Sequence, residues 1–392
     1  MPEKGQDFLM KTKYNIQILL ILLSLLCFSC TNSGSGNSII DLTTDTIYSP
    51  RYASGFVITG DSTARVITVK SPWQGANSVV EQLLVVAENG AIPAGFGGHV
   101  LKGTAKRIVC MSSTHVAMLD KLGIANYICG VSGVDFISSP NVVARKKNIL
   151  DVGYEGNVNY ENILAADPDI VLLYGVNGAS SMIGKLDEMH IPYIYIGDYL
   201  EESPLGKAEW MRAIGELTGK QQEATAELER IATHYFDLCE KVKAAKVNTP
   251  TVMVNAPYGD NWMVPPVDSY VARLINDAGG KYLYNNITGN TSVAIDMEDA
   301  FLKTSAADIW VNAGGYMSLN ELKKSIPKFS ATSPVKNKKV YTNNLRMNPS
   351  GGNDYYESAT VNPDLVLEDL INILHPELTG AEYAPNYYRH LE

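Results

Sequence analysis

From Gln221 to Ala245 the chain runs without a glycine or a proline. A helix over that stretch, at ~1.5 Å per residue, reaches roughly 37 Å, about the width of a small domain. A soluble helix of such length either packs in a bundle or crosses between two bodies. The neighbouring sequence offers no run of partner helices, so the expectation is a crossing, and the two flanks decide what is joined.

Both flanks carry the same grammar. On the N-terminal side the apolar run 107–111 ends in Ser112, Ser113, Thr114 and His115, after which Val116, Leu119 and Leu122 recur at helical spacing. Further runs follow at 127–131, at 167–173 (DPDIVLL) and at 191–196 (IPYIYI). Beyond Pro250 the pattern restarts, with strands predicted at 251–255, 307–312 and 339–341 and helices at 269–278 and 366–374. Short, continuously apolar strands alternating with amphipathic helices indicate parallel sheets covered on both faces, an α/β fold. One segment repeats: Glu161, Ile163, Leu164, Asp169, Ile170 and Val171 match Glu298, Ala300, Phe301, Asp308, Ile309 and Trp310, with two extra residues in the second copy. Two like lobes, 104–203 and 249–378, joined through bridging helices at 204–248, enclose a cleft. A small β-rich region precedes them at 39–103, and residues 379–392 form a C-terminal tail.

The N-terminus reads as an export signal. Lys11 and Lys13 precede an apolar run at 16–28 that is too short to span a bilayer and stops at Ser29 and Cys30. Residues 1–29 are the expected signal peptide, with translation starting at Met1 or at Met10. Cys30 resembles the lipid-accepting cysteine of bacterial lipoproteins, although Cys27 and Phe28 depart from the usual residues before it. Plain cleavage without lipid is the alternative, and residues 30–38 form a linker in either case. Removing three lysines and two acids takes the formal charge from -10 to -11. So acidic a chain is a poor partner for nucleic acid. Beyond Cys30 only Cys110, Cys129 and Cys239 remain, too few for a disulfide framework; Cys110 and Cys129 are expected as buried thiols.

Ligands of α/β sheets sit beyond the carboxyl ends of the strands. Here those loops are aromatic and amide-rich, and the candidate ligand-binding residues are Ser113, His115, Tyr154 and Tyr174 from the first lobe, with Tyr258, Trp262, Tyr316, Arg346 and Tyr355 from the second. Tyrosine and tryptophan give large, stiff contact area with a polar handle, which suits a broad planar ligand. Catalytic signatures are missing: there is no GxSxG, Walker A, HExxH or GxGxxG. No catalytic residue, metal site or resident cofactor is expected.

The segments RIVCMSSTHVAMLDKLG (107–123), VNYENILAADPDIVLL (158–173) and NPDLVLEDLINILHPEL (362–378), together with the long helix, resemble the periplasmic binding proteins for iron siderophores, haem and cobalamin. The resemblance implies two Rossmann-like lobes bridged by one helix, and an ABC importer whose permease dimer is met by one glutamate per lobe. By motif position these are Glu161 in NYENIL and Glu298 in DMEDAF. It also implies a metal-chelate ligand, namely a ferric siderophore, haem or cobalamin. The scarcity of basic residues in the loops, with Arg346 the exception, favours the less anionic members of that set. Residues 39–103 go beyond the family pattern, as a spacer or as a strand pair added to the first lobe. The expected location is the periplasmic side of the inner membrane, held by the lipid on Cys30, with the cell surface as an alternative. Two other classes stand beside this reading: a chelatase using His115 and Glu155, and a scaffold lipoprotein without a ligand.

Overall fold

The structure is a computed structural model that describes residues 45–176, 178–289 and 291–392. The signal segment, Cys30 and the linker lie outside the described residues. The described residues form one compact unit.

The alternating runs after residue 45 build a five-stranded sheet of β1 (Thr46–Tyr48), β2 (Phe56–Gly60), β3 (Ala64–Lys70), β4 (Val80–Val86) and β5 (His99–Lys102), in that spatial order. Neighbours are antiparallel except β4 and β5. Between β2 and β3 the Asp61 carboxylate accepts from the Thr63 N–H and hydroxyl and from the Ala64 N–H, which fixes the turn. Gly60 enters that turn at φ +133, where a Cβ would lie 2.2 Å from the Ala64 carbonyl oxygen, so glycine is required. The sheet is neither a spacer nor a strand pair. It packs on the body of the protein, with Phe56 against Trp210 (centroids 4.8 Å apart) and Trp73 bridged to Gly175.

The first lobe is a parallel sheet of β6 (Ile108–Cys110), β7 (Ile128–Val131), β8 (Leu150–Asp151), β9 (Ile170–Leu173) and β10 (Tyr193–Tyr195), ordered β10-β9-β6-β7-β8. Every residue of β6, β9 and β10 is buried, because helices such as α1 (Ser113–Lys121) and α2 (Tyr160–Ala166) and the N-terminal sheet cover the faces. The bridge follows as α3 (Pro204–Glu209), α4 (Met211–Thr218) and α5 (Gln221–Ala245). The second lobe centres on β11 (Thr251–Val254), flanked in parallel by β13 (Lys281–Tyr282) and β15 (Ile309–Val311). An antiparallel pair, β12 (Trp262–Val264) with β14 (Val293–Ile295), and the helices α6 (Tyr270–Asp277), α7 (Met297–Ala306) and α8 (Pro363–Leu374) complete it.

The sequence repeat has a structural cause. Asp169 precedes β9 and its carboxylate accepts the Lys106 and Arg107 N–H groups at 2.7 and 2.9 Å, at the start of the neighbouring β6. Asp308 precedes β15 and accepts the N–H and the hydroxyl of Thr251, both at 2.7 Å, at the start of the neighbouring β11. In each lobe one aspartate therefore ties two adjacent parallel strands at their N-terminal ends.

The long helix departs from its expectation. It joins the lobes, yet it is not a lone strut: Leu228, Ile231, Tyr235, Leu238 and Val242 form a buried stripe at three- and four-residue spacing, packed against α4 and α8. Each aliphatic member of the stripe contributes ~1.5–3 kcal/mol on burial. The partner α8 is supplied from far along the chain. Among the described residues no helix is long and apolar enough to cross a membrane.

Two further ties close the molecule. Glu209 accepts from the Tyr48 hydroxyl and from the Arg51, Tyr52 and Ala53 N–H groups, while Glu201 accepts from Ser54, Gly55 and the Trp210 indole. Residues 379–392, expected as a tail, are integrated instead. Asp369 accepts the N–H groups of Asn386, Tyr387 and Tyr388, and β17 (Arg389–His390) pairs with β16 (Tyr341–Thr342). Cys110 and Cys239 are buried free thiols and Cys129 is half-buried.

Candidate functional site

The strand-end loops of the two lobes meet. The Glu357 carboxylate accepts the Ser138 and Ser139 N–H groups at 2.7 and 2.8 Å. The Asn348 amide donates to the carbonyls of Asp135 and Ile137, the Ser113 hydroxyl to that of Tyr356, and Lys121 to the Asn362 side chain. Gly352 lies so close to the Phe136 carbonyl that a Cβ there would collide with it.

Of the cavities between the lobes, two concern the loops just described. One, of about 660 Å³, is lined by Lys121, Ser139 and Asn141 from the first lobe and by Arg346, Asp354 and Glu357 from the second. The other, of about 300 Å³, is walled by Tyr199, Tyr270, Tyr355 and Tyr356, with Thr114, Asp198 and Lys207 among its lining residues. Asp198 is 2% exposed. Its Oδ1 accepts from the Thr114 hydroxyl at 3.2 Å, and its Oδ2 has no partner among the described residues. Lys207 donates to the Asp198 backbone carbonyl at 3.1 Å, stands 4.0 Å from Oδ2, and lies over the Tyr270 ring at 4.8 Å. Burial pushes the Asp198 carboxyl up, with Lys207 opposing, and pushes the Lys207 ammonium down, with Asp198 and Glu201 opposing.

The expected ligand-binding residues are dispersed. Tyr355 lines the smaller cavity, and Ser113 lies next to it at the lobe contact. Arg346 lines the larger cavity, but its guanidinium is already paired with Asp354 at 3.1 Å and stacked on Tyr387. Tyr154 and Tyr258 are exposed, Tyr258 at 91%, and Tyr174 and Tyr316 are half-buried. Two expectations are corrected. His115 is fully buried on the inner face of α1 and neither ring nitrogen has a well-formed hydrogen bond among the described residues; burial pushes its pKa down to about 3, with the nearby Leu172 backbone opposing. Trp262 is buried in β12, stacked on Trp310 (5.5 Å, 22°), with its indole N–H donating to the Val254 carbonyl. Both serve the core rather than the cleft.

Several lining residues escaped sequence reasoning, namely Asp198, Tyr199, Lys207 and Tyr270, whereas Thr114 lies in the strand-end loop 112–115 that the sequence singled out. A lysine inside a helix reads as solvated surface, and only its place at the lobe boundary reveals otherwise. Asp198 and Tyr199 carried a usable signal, because they lie in the loop that follows the buried strand β10.

Glu161 and Glu298 occupy matched positions. Each is the exposed second residue of its helix, α2 or α7, behind a side-chain cap from Asn159 or Asp296. Among the described residues no three His, Cys, Asp or Glu side chains gather to hold a metal ion.

Residues 108–344 match the family described as "Periplasmic binding protein". An uncharacterized lipoprotein of Methanocaldococcus jannaschii is 28% identical over 282 residues, 69% of this chain and 65% of its own length, so this chain spans just under two thirds of that relative. Among solved structures, a periplasmic binding protein from Veillonella parvula superposes with a TM-score of 0.58 at 12% identity, covering 81% of this chain and 99% of its own. A periplasmic heme binding protein from Pseudomonas aeruginosa gives 0.55 at 17% identity, with coverages of 72% and 97%. At these identities the structural likeness is one of fold.

Proposed function

This chain belongs to the periplasmic binding protein family, whose members bind solutes without catalysis, and on that footing we propose that it captures a metal chelate between its lobes and hands it to an ABC importer. One observation carries the ligand class: the smaller cavity is walled by tyrosines, and the cations that line the two cavities already face partners. Arg346 is spent on Asp354 and Lys207 faces Asp198. A polyanionic ferric catecholate would find little free positive charge there, so the reading favours cobalamin, haem or a neutral siderophore. The matched, exposed Glu161 and Glu298 support docking on a two-fold permease through charge complementarity. A lipid on Cys30 would hold the protein at the outer face of the membrane that carries the importer. The chelatase alternative loses His115, which is sealed in the core.

The test is calorimetric titration of residues 31–392, the exported chain without Cys30, with cyanocobalamin, haemin, a neutral ferric hydroxamate and a ferric catecholate. Binding of one of the first three tighter than about 10 μM, roughly -7 kcal/mol, is expected. A preference for the catecholate, or no binding by any of the four, overturns the ligand class.

A further inference from the structure

The smaller cavity combines features that a packing defect does not. It runs from Tyr356, which is 60% exposed, down to Asp198 at 2%. Among the described residues its depth holds an acceptor without a donor, Asp198 Oδ2, and a lysine with one hydrogen bond for its three N–H groups. A buried polar atom left unpaired is costly, so such a pair implies something that completes it.

Resting on the solute-binding reading above, we infer that Asp198 and Lys207 form a subsite for an uncharged group that donates and accepts at once, a carboxamide presented by the ligand. Charge selects the class. An anion would gain Lys207 but meet Asp198, and a cation would gain Asp198 but meet Lys207, because the two stand 4.0 Å apart. Neither kind of ion escapes the repulsion in a buried site. A carboxamide carries its oxygen and nitrogen on one carbon. The oxygen accepts from Lys207 while the nitrogen donates to Asp198 Oδ2, each at ordinary hydrogen-bond length. Tyr270, Tyr355 and Tyr356 then offer ring surface to a flat body attached to the amide. At about 300 Å³ the cavity is at the small end for a complete ligand, ~300–1,000 Å³. It therefore takes one arm of a larger molecule.

The test uses benzamide, benzoate and benzamidine, three probes of nearly one shape whose head groups are neutral, anionic and cationic. Ligand-observed NMR on residues 31–392, followed by crystal soaks, reads affinity and position. Benzamide is expected to bind weakly, as so small a probe must, with its amide between Asp198 and Lys207. Benzoate and benzamidine should be weaker by at least about tenfold. Lys207→Met should erase that preference. The wild-type ranking of the three probes stands as evidence even if the variant folds poorly. No benzamide binding, an equal ranking, or soaks showing only water in the cavity overturns the subsite. Chelate binding with a flat probe ranking sinks the subsite alone, whereas a benzamide preference without any chelate binding sinks only the ligand class proposed above.

Discussion

Replacing Glu357 by glutamine probes the contact between the lobes directly. Glu357 is 1% exposed, and each carboxylate oxygen accepts one backbone N–H from the opposite lobe. Burial pushes its pKa up to about 7, against the two N–H groups and with Asp354 and Asp120 adding to the rise. The native carboxyl thus keeps a proton that the unfolded chain releases near its ordinary value of 4.5. Its contribution to stability is fully present below that value and is lost as pH rises through about 7. At ~1.4 kcal/mol per pH unit of displacement, the loss is about 3 kcal/mol. Glutamine cannot ionise, so Glu357→Gln removes this loss. It also turns an amide N–H₂ towards one of the two backbone donors, a constant offset of ~1–3 kcal/mol. Urea unfolding of both proteins from about pH 4.5 to about pH 8 separates the two effects. The variant should gain about 3 kcal/mol relative to the parent across that range, since titrations elsewhere cancel in the difference. Parallel curves would refute the reasoning: Glu357 would then ionise in the native protein as it does in the unfolded chain.

His115→Leu should show the opposite dependence. Burial holds the wild-type imidazole neutral, so its stability is present above the unfolded pKa of ~6.5 and is lost as pH falls towards the depressed native value, and the leucine protein should pull ahead on acidification. A gap that stays constant in denaturation below neutral pH would contradict this. Trp262→Ala should cost ~3–5 kcal/mol in urea unfolding by emptying the stack on Trp310, and a loss under about 1 kcal/mol would show that the packing is wrong. Glu161→Ala and Glu298→Ala, both exposed, should leave chelate affinity intact and reduce uptake in cells. Loss of binding by either one would remove the docking assignment.

Much of the architecture was legible because parallel strands buried on both faces must be apolar throughout, as β6, β9 and β10 are. The repeat was legible because a strand-tying aspartate is needed once per lobe. What escaped was set by contacts distant in sequence. The long helix advertised its length, but its partner α8 lies more than a hundred residues on. His115 follows three hydroxyl residues and looked like a loop residue, whereas the helix begins at Ser113 and turns the ring inward with Val116 and Leu119. Trp262 looked like a loop aromatic because β12 is only three residues long. The arm of the cleft that holds Lys207 was invisible, since a single lysine in a short helix carries no periodicity to mark it.

The clamp made by Glu201 and Glu209 separates the recognisable unit from the foldable one. The family match ends at residue 344 and begins at 108, so a protein engineer would be tempted to cut there. Such a cut discards the backbone donors of residues 51–55 and leaves two carboxylates facing a dry interior. It also discards α8, the shelf on which the long helix rests. Chimaeras that borrow these lobes should therefore carry residues 48–55 with them as an integral splint, whatever is done with the strands beyond it.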